Sequence, residues 1–182
     1  MKRATTTALT SLLLIAGAAH AAEYEKPQDV IYPDYPPAPA KQEQAEANRK
    51  SAGCTSCHTE SDSATMHISS SVVLGCTDCH GGAADVFKPS GPRTEAAYAA
   101  ARDRAHVAPR YPKSWHYPSS ANPEHSYTLL NRESPEFIRF VNPSDYRVAG
   151  EACGACHQPV IDANVRSLMA TGAMLWGGAA YN

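Results

Sequence analysis

Three five-residue units, CTSCH at 54–58, CTDCH at 76–80 and CGACH at 153–157, hold all six cysteines of the chain and three of its eight histidines. Each unit places two thiols two residues apart, with an imidazole directly after the second. That spacing suits one piece of chemistry: the two sulfurs meet the two vinyl groups of a porphyrin as thioethers, and the adjoining histidine comes under the iron. The pattern predicts three covalently attached c-type haems. Cys54 and Cys57, Cys76 and Cys79, and Cys153 and Cys156 are the attachment residues, and His58, His80 and His157 are the first axial ligands of the irons. The first two pairs, 18 residues apart, also fit a four-thiolate zinc site. Zinc accounts neither for the three histidines nor for the third pair. A disulfide framework has no use for a histidine after every second cysteine, and a redox-active dithiol needs one such pair rather than three.

An iron held by one histidine retains a sixth position, whose occupant decides whether the site moves electrons or binds small molecules. Apart from His20, four histidines lie outside the motifs: His67, His106, His116 and His125. Three irons need at most three of them, so histidine on both sides of every iron is within supply, which favours electron transfer over substrate binding. His67 sits in the tether between two fixed haems and cannot wander far from either; it is expected on haem one or haem two. His106 is the second expected distal ligand. Met66, Met169 and Met174 could also bind iron, but methionine more commonly fills gaps in apolar packing. Tyr98, Tyr111, Trp115 and Trp176 are assigned to packing, against porphyrin or protein. Arg93, Arg102 and Arg104 are candidates to pair with haem propionates, or to form a solvated helix face.

The elements that must position these groups are short. Residues 27–39, PQDVIYPDYPPAP, predict an extended proline-rich arm that either wraps the body or tethers it. Ala40 to Lys50 has the residues of a short helix leading to the first motif. A second helix is expected at about 93–107, between Pro92 and Pro109 and ending near His106. Ser134-Pro135-Glu136 carries a capping residue, a proline at the first helical position and an acid in the first turn. A last helix is expected from near Pro159 towards Trp176, with Val160, Ile161, Val165, Leu168, Met169 and Leu175 at roughly helical spacing, its apolar face towards the third haem. Residues 109–126 are dense in proline, serine and asparagine and predict an irregular loop. No strand pattern of any length occurs. The fold class expected is mainly irregular with a few short α-helices and little or no β, organised around three covalent haems.

Composition agrees with a cofactor-filled interior. Residues 1–21 have a basic start, an apolar stretch and an Ala-x-Ala end, the layout of a secretory signal peptide cleaved near Ala21. Export to the periplasm or beyond is expected, with no integral membrane segment in the mature chain. Loss of Lys2 and Arg3 leaves 14 basic against 18 acidic residues, a sign that disfavours nucleic acid as a partner. Leu, Ile, Val and Phe make up about 13% of residues 22–182, below the roughly 20% under which a chain looks disordered. Residues 22–50 are expected as arm and short helix and 51–182 as the trihaem domain. The apolar ending WGGAAYN is that expected of the N-terminal part of a longer protein.

The stretch GCTSCHTESDSATMHISSSVVLGCTDCHGG, followed by AHVAPRYP, SSANPEHSYTLLNRESPEFIRFVNPSDYRVAGEACGACH and GAMLWGGAAYN, resembles multihaem c-type cytochromes of metal-reducing and other anaerobically respiring bacteria. It is similar to the N-terminal part of larger exported cytochromes with more haem motifs. The resemblance implies an electron carrier, working by haem-to-haem hopping between respiratory donors and periplasmic or extracellular acceptors. Redox proteins and other multihaem cytochromes are the partners it implies. It also implies His67 and His106 as distal ligands, and leaves the sixth ligand of the third haem open among His116, His125, a methionine or residues beyond Asn182. The alternative is a multihaem reductase or peroxidase with an open coordination site at the third haem.

Overall fold

The computed structural model describes residues 25–59, 66–116, 127–173 and 178. The expected signal peptide, His125, Met174, Leu175 and Trp176 lie outside them. Within the described residues the chain is helical or irregular, without a strand. No helix there is long and apolar enough to cross a membrane.

Among the described residues seven short α-helices follow in order: α1 (Gln44–Arg49), α2 (Ala52–Cys57), α3 (Cys76–His80), α4 (Ala96–Ala105), α5 (Pro135–Val141), α6 (Ala149–Asn164) and α7 (Leu168–Thr171), with 3-10 turns at Pro112–Ser114 and Tyr127–Arg132. α1 and α4 fall inside the stretches that helix-forming composition marks out. α5 begins as its sequence requires: Ser134 Oγ accepts from the Phe137 amide at 3.2 Å, and Pro135 occupies the first turn, where its missing N–H costs nothing.

The last helix differs from expectation. It starts ten residues earlier, at Ala149, carries the whole third motif, holds Pro159 inside it and ends at Asn164. A separate turn follows, α7, capped by Ser167 Oγ accepting from the Ala170 amide at 3.1 Å. The run Ala-Gly-Glu-Ala before Cys153 has two alanines and a glutamate, enough to start the helix before the proline. Val160, Leu168 and Met169 are 63%, 62% and 81% exposed, so no protein surface covers them.

The protein core is small. Val107, Trp115, Leu130, Phe137, Ile138 and Val148 form it, with Tyr32, Tyr35, Leu129, Phe140 and Val141 packed against its edge. Trp115 belongs to this core: its ring lies 5.9 Å from that of Phe137 and its Nε1–H donates to Glu133 at 2.7 Å. The buried Glu133 carboxylate also accepts from the amides of Arg110 and Tyr111, fixing the loop after His106 against the start of α5. The proline-rich arm wraps this body. Gln28 N–H donates to Arg110 O, Tyr32 Oη to Ala108 O, and Ala38 N–H to Glu151 O.

Arg139, on α5, joins the arm to the second motif. It is 2% exposed, and its guanidinium donates to the carbonyls of Tyr35, Pro36, Asp78 and Cys79 at 2.7–3.2 Å, with Glu151 Oε2 at 3.5 Å. A lysine offers three donors from one point and cannot match this fork. Arg139→Lys should therefore lower stability by about 2–4 kcal/mol, since buried carbonyls lose charged partners. A thermal melt unchanged from the parent protein would contradict that role.

Candidate functional site

The three motifs are brought together around α3. Thr77 N–H donates to Lys50 O at 3.1 Å and Cys76 N–H to Ser51 Oγ at 3.0 Å, so the first turn of α3 abuts the start of α2. α3 also packs on α5 and on α6, the helix of the third motif. The approach at the first junction depends on absent side chains. A Cβ on Gly75 would stand 2.5 Å from Lys50 Cβ and 2.6 Å from Ala47 O, and one on Gly53 would meet Val86 O at 2.3 Å. Each glycine immediately precedes the first cysteine of its motif.

None of the six cysteines is in a disulfide; five are half-buried and Cys156 is exposed. Interaction between the two thiols pushes that of Cys54 up and draws that of Cys76 down, although burial opposes the latter. Cys79 is raised by burial and then by the neighbouring Cys153. Motif one thus adjoins motif two, and motif two adjoins motif three. The zinc alternative requires Cys54, Cys57, Cys76 and Cys79 to converge; among the described residues no group of three or more histidine, cysteine or acidic side chains is so gathered.

The histidines pair across the motifs. His58 ends α2, and its ring centre lies 6.2 Å from that of His106, which ends α4, with the planes tilted by 37°. The ring centre of His157, on α6, lies 6.3 Å from that of His67, and the planes are within 7° of parallel. Two imidazoles bound to opposite sides of one metal ion put their nitrogens about 2 Å from it and their ring centres about 1 Å beyond, roughly 6 Å apart. Neighbours on a tetrahedral ion would stand roughly 5 Å apart. Both pairs have the opposite-side separation. Burial, and then the charge of His58, hold the His106 pKa below its ordinary value, so it favours the neutral form that binds metals.

His80 is oriented differently. Its Nδ1 donates to Phe140 O at 2.6 Å, which leaves Nε2 free to face a metal, the arrangement usual for a ligating histidine. Its ring contact among the described residues is with Phe140, centre to centre 6.4 Å. His116 is exposed beyond Trp115.

His67, expected on haem one or two, lies beside the third motif's histidine, His157. Met66 is exposed beside His67. Arg93 lies over the Tyr98 ring at 5.9 Å and Arg102 pairs with Asp103. An open cleft of about 470 Å³ separates the tether from α1 and α2, lined by Ala47, Ser51, Thr55, His67, Val72 and Leu74 among others. It has the size of a ligand pocket.

Asp78, the acid inside the second motif, was not singled out by sequence. It is 4% exposed and accepts from Lys50 Nζ at 2.6 Å, from Gly75 N–H at 2.7 Å and from Gln42 Nε2. Burial alone would raise its pKa, but these donors together hold it below the usual carboxylate range. The legible signal was an acid three residues after a helix start, half of a capping box. Compared with family models, with curated proteins and with solved structures, the chain matches none.

Because Asp78 ties α1 to α3, Asp78→Asn should cost about 1.5–3 kcal/mol, the worth of a buried bond to a charged group. Lys50→Met made in that background should then add little. Chemical denaturation of the two single variants and the double variant checks the coupling; additive losses would mean that the two residues act separately.

Proposed function

We propose that this chain is an exported trihaem c-type cytochrome that carries electrons between respiratory donors and periplasmic or extracellular acceptors. What carries the proposal is the pairing of two motif histidines, His58 and His157, each with a non-motif histidine at the separation of trans axial ligands. The attachment residues are Cys54, Cys57, Cys76, Cys79, Cys153 and Cys156, and His58, His80 and His157 are the proximal ligands. Haem bound there supplies a reversible one-electron change at iron.

The chain's own contribution is ligation, spacing and burial. Burial favours neutral His106, which binds metal without losing a proton first, and the ring of His80 is oriented by Phe140 O. The thiols of adjoining motifs influence one another's titration, Cys54 with Cys76 and Cys153 with Cys79, so the three attachment points lie near one another. The scarcity of large apolar side chains, and the exposed Val160, Leu168 and Met169 beside the third motif, suit a molecule whose remaining apolar contacts come from porphyrin. An enzyme reading located its open iron at the third motif; the facing of His157 by His67 supports a closed position there, and so the carrier. The basic start and apolar stretch of residues 1–21 support export, with redox proteins or other multihaem cytochromes as partners.

Produced in a host that matures c-type cytochromes, the protein should begin at Ala22, have the mass of the chain plus three haems, and give a c-type pyridine haemochrome. Electron paramagnetic resonance of the oxidised form should show low-spin iron at the sites of His58 and His157. A colourless product, or thiols that remain titratable in the matured protein, would exclude the proposal.

A further inference from the structure

We infer that His67, which lies in the tether between the first and second motifs, is the sixth ligand of the iron held by the third motif. This rests on the trihaem reading above and adds to it the identity of the ligand that sequence left open. His67 stands nine residues after His58 and nine before Cys76. Chain proximity therefore favours either of the first two irons, because a short loop closes at the least entropic cost. The structure places it elsewhere: its ring faces that of His157, ninety residues on, at 6.3 Å and within 7° of parallel.

Three observations support the assignment. The first iron is already provided for, since His58 faces His106 at nearly the same separation, 6.2 Å. The second motif's histidine has its ring held by Phe140 O, and its ring neighbour there is Phe140, not His67. Ile68, next to His67, is fully exposed to solvent, as Val160, Leu168 and Met169 are largely exposed after His157. Both segments that present the paired rings thus carry largely exposed apolar side chains, as Ile31 and Phe87 are elsewhere, which suits a shared porphyrin between them.

The ligation is therefore crossed. A segment that connects haems one and two closes haem three, and α6 is bound to the tether through metal rather than through a hydrophobic contact. The open question of the sixth ligand moves from the third iron to the second, the one held by His80.

His67→Gln, purified as holoprotein, should retain three haems by intact mass and convert one iron per molecule from low spin to high spin in paramagnetic resonance. His67→Met should restore low spin with a raised potential at that one haem, as expected when methionine replaces histidine. The decisive comparison uses a two-haem background, Cys153→Ser with Cys156→Ser. There, adding His67→Gln should leave the spin state of both remaining irons unchanged; a new high-spin signal would assign His67 to the first or second iron and overturn the inference. Should the two-haem protein not accumulate, proton magnetic resonance of the reduced, diamagnetic parent reads the same point. Overhauser contacts from the His67 ring should reach the haem that also contacts His157, and contacts to another haem overturn the assignment. Absence of haem by mass would instead remove the proposed function, so the two failures are distinguishable.

Discussion

A single buried cation holds the parts of this molecule in register. The Arg139 guanidinium leaves water, a loss that only a full set of close partners offsets. It finds them in two carbonyls of the arm, two of the second motif's helix and the carboxylate of Glu151 on α6. The carbonyls of Asp78 and Cys79 belong to the last turn of α3, where helix geometry leaves them without amide partners and where the helix dipole favours positive charge. One side chain therefore completes a helix end, anchors an extended segment and reaches a second helix. The hydrophobic core beside it is too small to do this alone.

Around that centre the three cysteine-histidine units form a series with the second in the middle. Its first turn is joined to the first unit through the backbone of Lys50 and the hydroxyl of Ser51, and its last turn faces the third. Glycine before the leading cysteine lets backbone pass close: a side chain at 75 would strike Lys50 and Ala47 at the end of α1, and one at 53 the carbonyls of Ala84 and Val86 after α3. Asp78 then ties the same helix to α1. No buried side-chain nitrogen or oxygen among the described residues lacks a hydrogen-bond partner.

Much of this was legible locally. The motifs and the Ser134-Pro135 helix start depend on neighbouring residues, and both stand out in sequence. α1 and α4 were legible for the same reason, since composition over a few residues decides them. The early start of α6 was hidden because Pro159 resembles a beginning: inside a helix it removes the bond to the Ala155 carbonyl and crowds that turn, so sequence places it in the first turn. Arg139 was hidden for a different reason: its partners are 60 and about 100 residues distant, and nothing in Phe-Ile-Arg-Phe distinguishes a buried arginine from a solvated one. The facing of His67 and His157 was hidden because separation along a chain is a poor guide where a tether has little surface to pack against.

The arm illustrates how few contacts can hold a long segment. Five of the residues 27–39 are proline. Each narrows the conformations of the free chain, an effect of about 0.4–1 kcal/mol where the bound shape is compatible. Each also brings no amide hydrogen that must find an acceptor. The segment consequently arrives nearly straight and already short of donors, so a tyrosine hydroxyl, two amides and one guanidinium suffice to lay it across the body. A glycine-serine stretch of equal length in that place would pass over the same carbonyls and find too little there to keep it.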